Sequence, residues 1–150
     1  MKSIKTIAAI AFAALTLSLT GCSKDPEDLI IGTWIETEAT YTENDNGEIT
    51  TSSMLEEGET VEMTFNKDLT YTTIYHSNVG DSEEHGTYSI SGDKLSFTST
   101  IDFGGETETY TEVYNIDNID NKNMTISASE SMTFGEEPYS FSIKIVFKKK

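Results

Sequence analysis

Arginine is absent from this chain, and all ten of its basic residues are lysine. Without a guanidinium fork there is nothing to clamp phosphates bidentately or to read base edges. Against the lysines stand 26 acidic residues, a formal net charge of −16, and a field of that sign repels a phosphate backbone. No nucleic-acid partner is expected. Cysteine occurs once, at Cys22, so no disulfide can form within the chain, and a lone thiol reads as modified or reactive if the protein is exported. Histidine occurs twice, as His76 and His85, beside Asp81, Glu83 and Glu84. That spacing matches no zinc motif, and both imidazoles read as solvent-facing. No serine lies in a nucleophile elbow. Beyond the first 21 residues no apolar run approaches the length needed to cross a bilayer of ~30 Å, and the remainder is expected to lie in water.

The N-terminus carries the most specific signal. Met1, Lys2 and Lys5 form a positive segment, and Ile7 to Leu19 is a thirteen-residue apolar run of signal-peptide rather than membrane-spanning length. Leu19-Thr20-Gly21-Cys22 follows and resembles a lipobox, the cleavage and lipidation signal of bacterial lipoproteins. The resemblance implies that Cys22 opens the mature protein and carries several acyl chains. At ~0.8 kcal/mol per buried methylene, two or more chains anchor stably where one does not. The membrane is thus the expected partner, through Cys22, which is thereby withdrawn from redox, metal and catalytic chemistry. Ser23 rather than Asp after the cysteine implies sorting to the outer membrane. Lys24, Asp25, Glu27 and Asp28 resemble the surface-export signal of Bacteroidetes lipoproteins. The expected division is a signal peptide at 1–21, a polar tether at 22–28 reaching ~20 Å, and one domain over 29–150. Without the leader, 26 acids face eight lysines, a net of −18, which reads as a solvated acidic exterior.

From Thr33 to Phe147 side chains alternate with period two between turn residues, and no 3.6-residue pattern competes. Asn46-Gly47 predicts a tight hairpin because both residues tolerate positive φ. Loops are expected at 78–82 and 117–123. Eight to ten strands joined by tight turns predict an all-β, antiparallel up-and-down meander, closed into a barrel to remove exposed edges; a β-sandwich is the alternative. Gly32-Thr33-Trp34 before the first strand resembles the Gly-x-Trp signature of lipocalins and related calycin barrels. Met63-Thr64-Phe65-Asn66-Lys67-Asp68-Leu69-Thr70-Tyr71 and Gly86-Thr87-Tyr88-Ser89-Ile90-Ser91-Gly92-Asp93-Lys94-Leu95 resemble phrases of small lipocalin-like lipoproteins of Bacteroidetes. The resemblance covers most of 29–147 and implies a lipocalin-like barrel with Trp34 closing its floor. Three usual features are missing: a C-terminal helix, a disulfide, and an arginine packed over the tryptophan.

The resemblance implies a small apolar or amphipathic ligand, and the inward-facing residues Met63, Phe65, Tyr71, Tyr75, Tyr88, Phe97, Tyr110 and Phe141 are the candidate lining. Eight strands enclose room for side chains or for one small ligand, so a filled core is the competing expectation. A non-enzymatic module contacting a protein or glycan through loops 43–48, 78–85 and 117–123 is the alternative function. Hydrolysis would require paired carboxylates converging in one cleft, and no enzyme, metal or cofactor is expected. Asn44-Asp45-Asn46-Gly47 could begin a calcium loop, but Ser53 stands where a bidentate Glu is needed. Lys144 and Lys148-Lys149-Lys150 read as a basic, solvated end.

Overall fold

The computed structural model describes residues 25–102, 107–134 and 137–150. The expected leader and Cys22 lie outside the described residues. One helical turn, α1 (Pro26–Ile30), precedes nine strands: β1 (Gly32–Asp45), β2 (Glu48–Ser53), β3 (Thr60–Phe65), β4 (Thr70–Ser77), β5 (Gly80–Ser91), β6 (Lys94–Asp102), β7 (Thr107–Ile119), β8 (Asn123–Phe134) and β9 (Glu137–Lys149). Each strand from β3 onward pairs antiparallel with the next, and β9 returns to pair with β1 along residues 34–45. On its other edge β1 is shared: residues 32–35 pair with β3 and residues 40–45 with β2. β1 and β3 to β9 therefore close an eight-stranded barrel, and β2 extends one wall beside the mouth. Closure through β1–β9 decides between barrel and sandwich, because it leaves no second sheet to stack among the described residues.

Segments expected as loops are strand. β4 and β5 are joined across Asn78 and Val79, with Ser77 opposite Gly80, so the acidic stretch 80–85 is ladder. Likewise β7 runs to Ile119, with a register shift between Ile116 and Asn118. Polarity misled the reading there, because an antiparallel strand with one solvated face tolerates charge at alternate positions. The Asn46-Gly47 turn is as expected, with φ of 50° and 93° and the Gly47 N–H donating to Asn44 Oδ1 at 3.0 Å. Leu69 is half-exposed in the turn before β4, at φ 66°.

The chain enters and leaves at one end, which is closed. Pro26 opens α1, where its missing N–H costs no helical bond. Residues 26–28, expected within a tether, form the start of this turn. Ile30 and Trp34 are fully buried, and the Trp34 indole N–H donates to the Ile30 carbonyl at 2.7 Å. Lys149 Nζ lies 4.9 Å from the Trp34 ring centroid and donates to the Leu29 carbonyl at 2.8 Å. A lysine thus stands over the tryptophan where the resemblance leads one to look for arginine. Gly32 makes room for it: at φ +124° its missing Cβ would sit 2.9 Å from Lys149 Cε. Lys150 Nζ pairs with Glu62 at 2.7 Å. The expected solvated tail is therefore part of the barrel floor. Above it, Phe97 packs against Phe65, Tyr71 and Tyr114 at centroid distances of 5.9, 5.2 and 5.8 Å. Such aromatic pairs contribute about 0.5–1.5 kcal/mol each beyond their burial.

Candidate ligand-binding cup

The barrel is not filled to its mouth. A cavity of about 510 Å³ opens between β1 and β3–β9, with Met54, Leu55 and Glu59 of the β2–β3 connection at its side. That volume is in the range of small-molecule sites. Phe97, Ile126, Ile145 and Phe147 make an apolar base, while tyrosines and glutamates form the wall above.

Alternation places most of the wall. On β4, Tyr71, Thr73 and Tyr75 point inward together, and on β7 Tyr110, Glu112 and Tyr114 do the same. Thr73 stands opposite Glu84 on β5, and Phe97 on β6 opposite Glu112. Glu36 reaches the cavity from β1, opposite Phe147. The carboxylate of Glu84 accepts hydrogen bonds from Tyr71 at 2.5 Å and Tyr75 at 3.4 Å, and Glu112 accepts one from Tyr114 at 3.1 Å. Thr73, only 1% exposed, has a side-chain oxygen with no hydrogen-bond partner.

The electrostatics follow from burial beside like charge. Burial pushes the Glu36 carboxyl from its ordinary 4.5 to about 7. Tyr75 is pushed up to about 12, first by burial, then by the charge and hydrogen bond of Glu84, and then by the charges of Glu36 and Glu112. One phenol thus feels all three carboxylates, which locates them around a common space. Tyr71 and Tyr114 are raised further, each first by burial and then through its own glutamate partner.

Of the residues expected to line a ligand site, Met63, Tyr71, Tyr75, Phe97 and Tyr110 border this cavity. Phe65 and Tyr88 lie outside its wall, in the closed-end core, packed edge to face at 5.0 Å, and the Tyr88 hydroxyl donates to the Asn66 carbonyl at 2.8 Å. Phe141 joins a ring cluster with Tyr41 and Tyr139, away from the cavity lining. Sequence reasoning missed Glu36, Thr73, Glu84 and Glu112. A signal existed for two of them: Glu112 falls between Tyr110 and Tyr114 on one face, and Glu36 shares the parity of Trp34. Glu84 was hidden inside the stretch read as loop. His76 and His85 sit on β4 and β5, 3.0 Å from Asp81 and 3.5 Å from Glu83 respectively.

A closed antiparallel barrel with a packed floor and one open, partly apolar cup is the architecture of a small-ligand binder. Residues 30–126, more than half of the chain, match the family model of the lipocalin-like domain, and the chain belongs to that family. No curated relative matches it. The family match ends within β8, and β9 completes the barrel beyond it.

Proposed function

We propose that this protein is an outer-membrane, lipid-anchored binder that holds one small amphipathic molecule in the barrel cup. The observation that carries the reading is the cavity of about 510 Å³, apolar at its base and hydroxyl-rich at its wall, in a lipocalin-like barrel. Lipocalin-like proteins typically bind rather than catalyse. Lipidation of Cys22 rests on the lipobox-like Leu19-Thr20-Gly21-Cys22. Cys22 precedes Asp25 by three positions, a reach of about 10 Å when extended, and the chain joins the barrel at its closed end. An anchor there turns the cup away from the bilayer.

Two measurements test the reading. Native mass spectrometry of the purified protein should show a co-purified small-molecule adduct that is displaced by N-phenylnaphthylamine. A protein that carries no adduct and does not bind that probe is not a carrier. Replacing Cys22 with Ser should release the protein from membranes; retention would remove the anchor.

A second reading, acid–base hydrolysis, has one observation behind it. Glu36, with its carboxyl raised to about 7, shares one cleft with Glu112 and Glu84, and a raised acid beside a second carboxylate is the arrangement glycoside hydrolysis uses. Turnover of aryl glycosides that is lost in E36Q would establish it. The loop-mediated contact module is less supported, because loops 43–48, 78–85 and 117–123 reduce to tight turns around 46–47, 78–79 and 120–122.

A further inference from the structure

Charge in this barrel is sorted along its axis. Of the lysines in the described residues, Lys67, Lys94, Lys122 and Lys148 to Lys150 lie at turns or termini of the closed end, and only Lys144 lies elsewhere, on β9. Their partners are local: Lys149 covers Trp34 and Lys150 pairs with Glu62. The cup is the opposite. Glu36, Glu59, Glu84 and Glu112 line it, and no lysine or histidine is among its described lining residues. Negative charge walled by low-dielectric rings concentrates the local field at the mouth and draws in cations.

The cup also presents a polar atom awaiting a partner. Thr73 is 1% exposed, lines the cavity, and its hydroxyl oxygen bonds to nothing in the protein. Leaving such a group unpaired costs stability; its oxygen is closed to water in the unliganded barrel, so a ligand donor would satisfy it by shifting the side chains that cover it. Around that point the surfaces suit an ammonium head. The Glu84 carboxylate stands opposite Thr73 on the neighbouring strand, and the rings of Tyr71, Tyr75 and Phe97 line the same space. Carboxylate with aromatic faces is the chemistry that holds organic cations.

We propose that the molecule this cup takes is a cation, an amine or ammonium head on an apolar or aromatic body. The head sits among Glu84, Glu112 and the Thr73 hydroxyl, and the body lies on Phe97 and Phe147. The inference rests on the reading of the cup as the ligand site. It adds sign to that site: an anionic amphiphile such as a fatty carboxylate would meet uncompensated negative charge and be rejected.

The test uses three probes of nearly one shape, titrated calorimetrically into the purified protein at neutral pH: phenethylamine (a cation), phenethyl alcohol (neutral) and hydrocinnamate (an anion). The amine should bind about tenfold or more tighter than the alcohol, as one charge-assisted contact provides, and hydrocinnamate should bind weakest. E84Q and E112Q should each lower amine affinity about tenfold and alcohol affinity by less, and an unchanged circular-dichroism spectrum shows that the variants are folded. E83Q, on the outer face of the same strand, should change nothing. If the alcohol or hydrocinnamate matches the amine, or if E83Q acts like E84Q, the cation assignment is overturned while the cup remains a ligand site. If no probe binds, and N-phenylnaphthylamine does not bind either, the cup reading itself fails.

Discussion

Trp34 and Ala39 are both buried in the barrel interior although they stand five positions apart, an odd number, on one strand. A regular strand would turn them to opposite faces. Thr37 resolves the conflict: it is the extra residue in the register between Glu36 opposite Phe147 and Glu38 opposite Val146. This bulge lets Trp34 and Glu36 face inward from the lower half of β1, and Ala39 face inward from the upper half. Without it Glu38 would line the cup, and Ala39 would face solvent. Bulges re-aim side chains next to functional sites in this way.

Glu36 makes stability depend on pH. Its carboxyl is raised from the ordinary 4.5 to about 7 by burial, and it faces Tyr75 on β4, Glu84 on β5, and Glu112 and Tyr114 on β7. Between those values the folded protein keeps a proton that the unfolded chain releases. Stability therefore declines as pH rises from 4.5 to about 7 and levels off above. E36Q should flatten this decline and be more stable than the parent at about pH 8. Urea midpoints measured across the range give the answer, and parallel curves for the two proteins would refute it.

Gly86 is required for space rather than for backbone freedom. A Cβ there would stand 2.3 Å from the Thr98 carbonyl oxygen and 2.6 Å from the Tyr71 ring. Both neighbours are held, one by the β-ladder and the other by its bond to Glu84. G86A should therefore cost about 1–3 kcal/mol, as overpacking does, read as a lowered urea midpoint with unchanged slope.

Lys149 ties the last strand to the floor. K149M keeps the stem but removes the charge over Trp34 and the donor to Leu29. A loss of about 1–3 kcal/mol is expected from the two contacts together. Trp34 is the sole tryptophan, so its emission reports this site directly and should change in the variant.

Thr73 trades stability for binding. Its partnerless hydroxyl is buried, so T73V, which keeps the branched shape, should raise the stability of the unliganded protein by about 1 kcal/mol. The same variant should bind phenethylamine more weakly. Thermal melts with and without the amine separate the two effects; a variant less stable than the parent would show that the hydroxyl is satisfied in solution.

Much of the barrel was legible because β-structure leaves a local record. Val61, Met63 and Phe65 alternate with polar residues, and Asn46-Gly47 marks its own turn. The acidic strand 80–85 was not legible, since Asp81, Glu83 and Glu84 are as compatible with a loop as with a strand that has one wet face. The lining of the cup was read by hydrophobicity, which found Tyr71, Tyr75 and Phe97 but passed over the glutamates between them. A charged residue enters an interior only where several strands jointly provide hydroxyls and space.

By itself the sequence determined an acidic, arginine-free, antiparallel β domain with an aromatic interior, because composition and period two are properties of neighbouring residues. Tertiary structure decided whether the sheet closed, which depends on β9 meeting β1 across the length of the chain. It also decided that Lys149 covers Trp34, and that Glu36, Glu84 and Glu112 converge around Thr73 and Tyr75. Those relations rest on strand register and one bulged residue, and register is set by the packing of the whole barrel rather than by any local pattern.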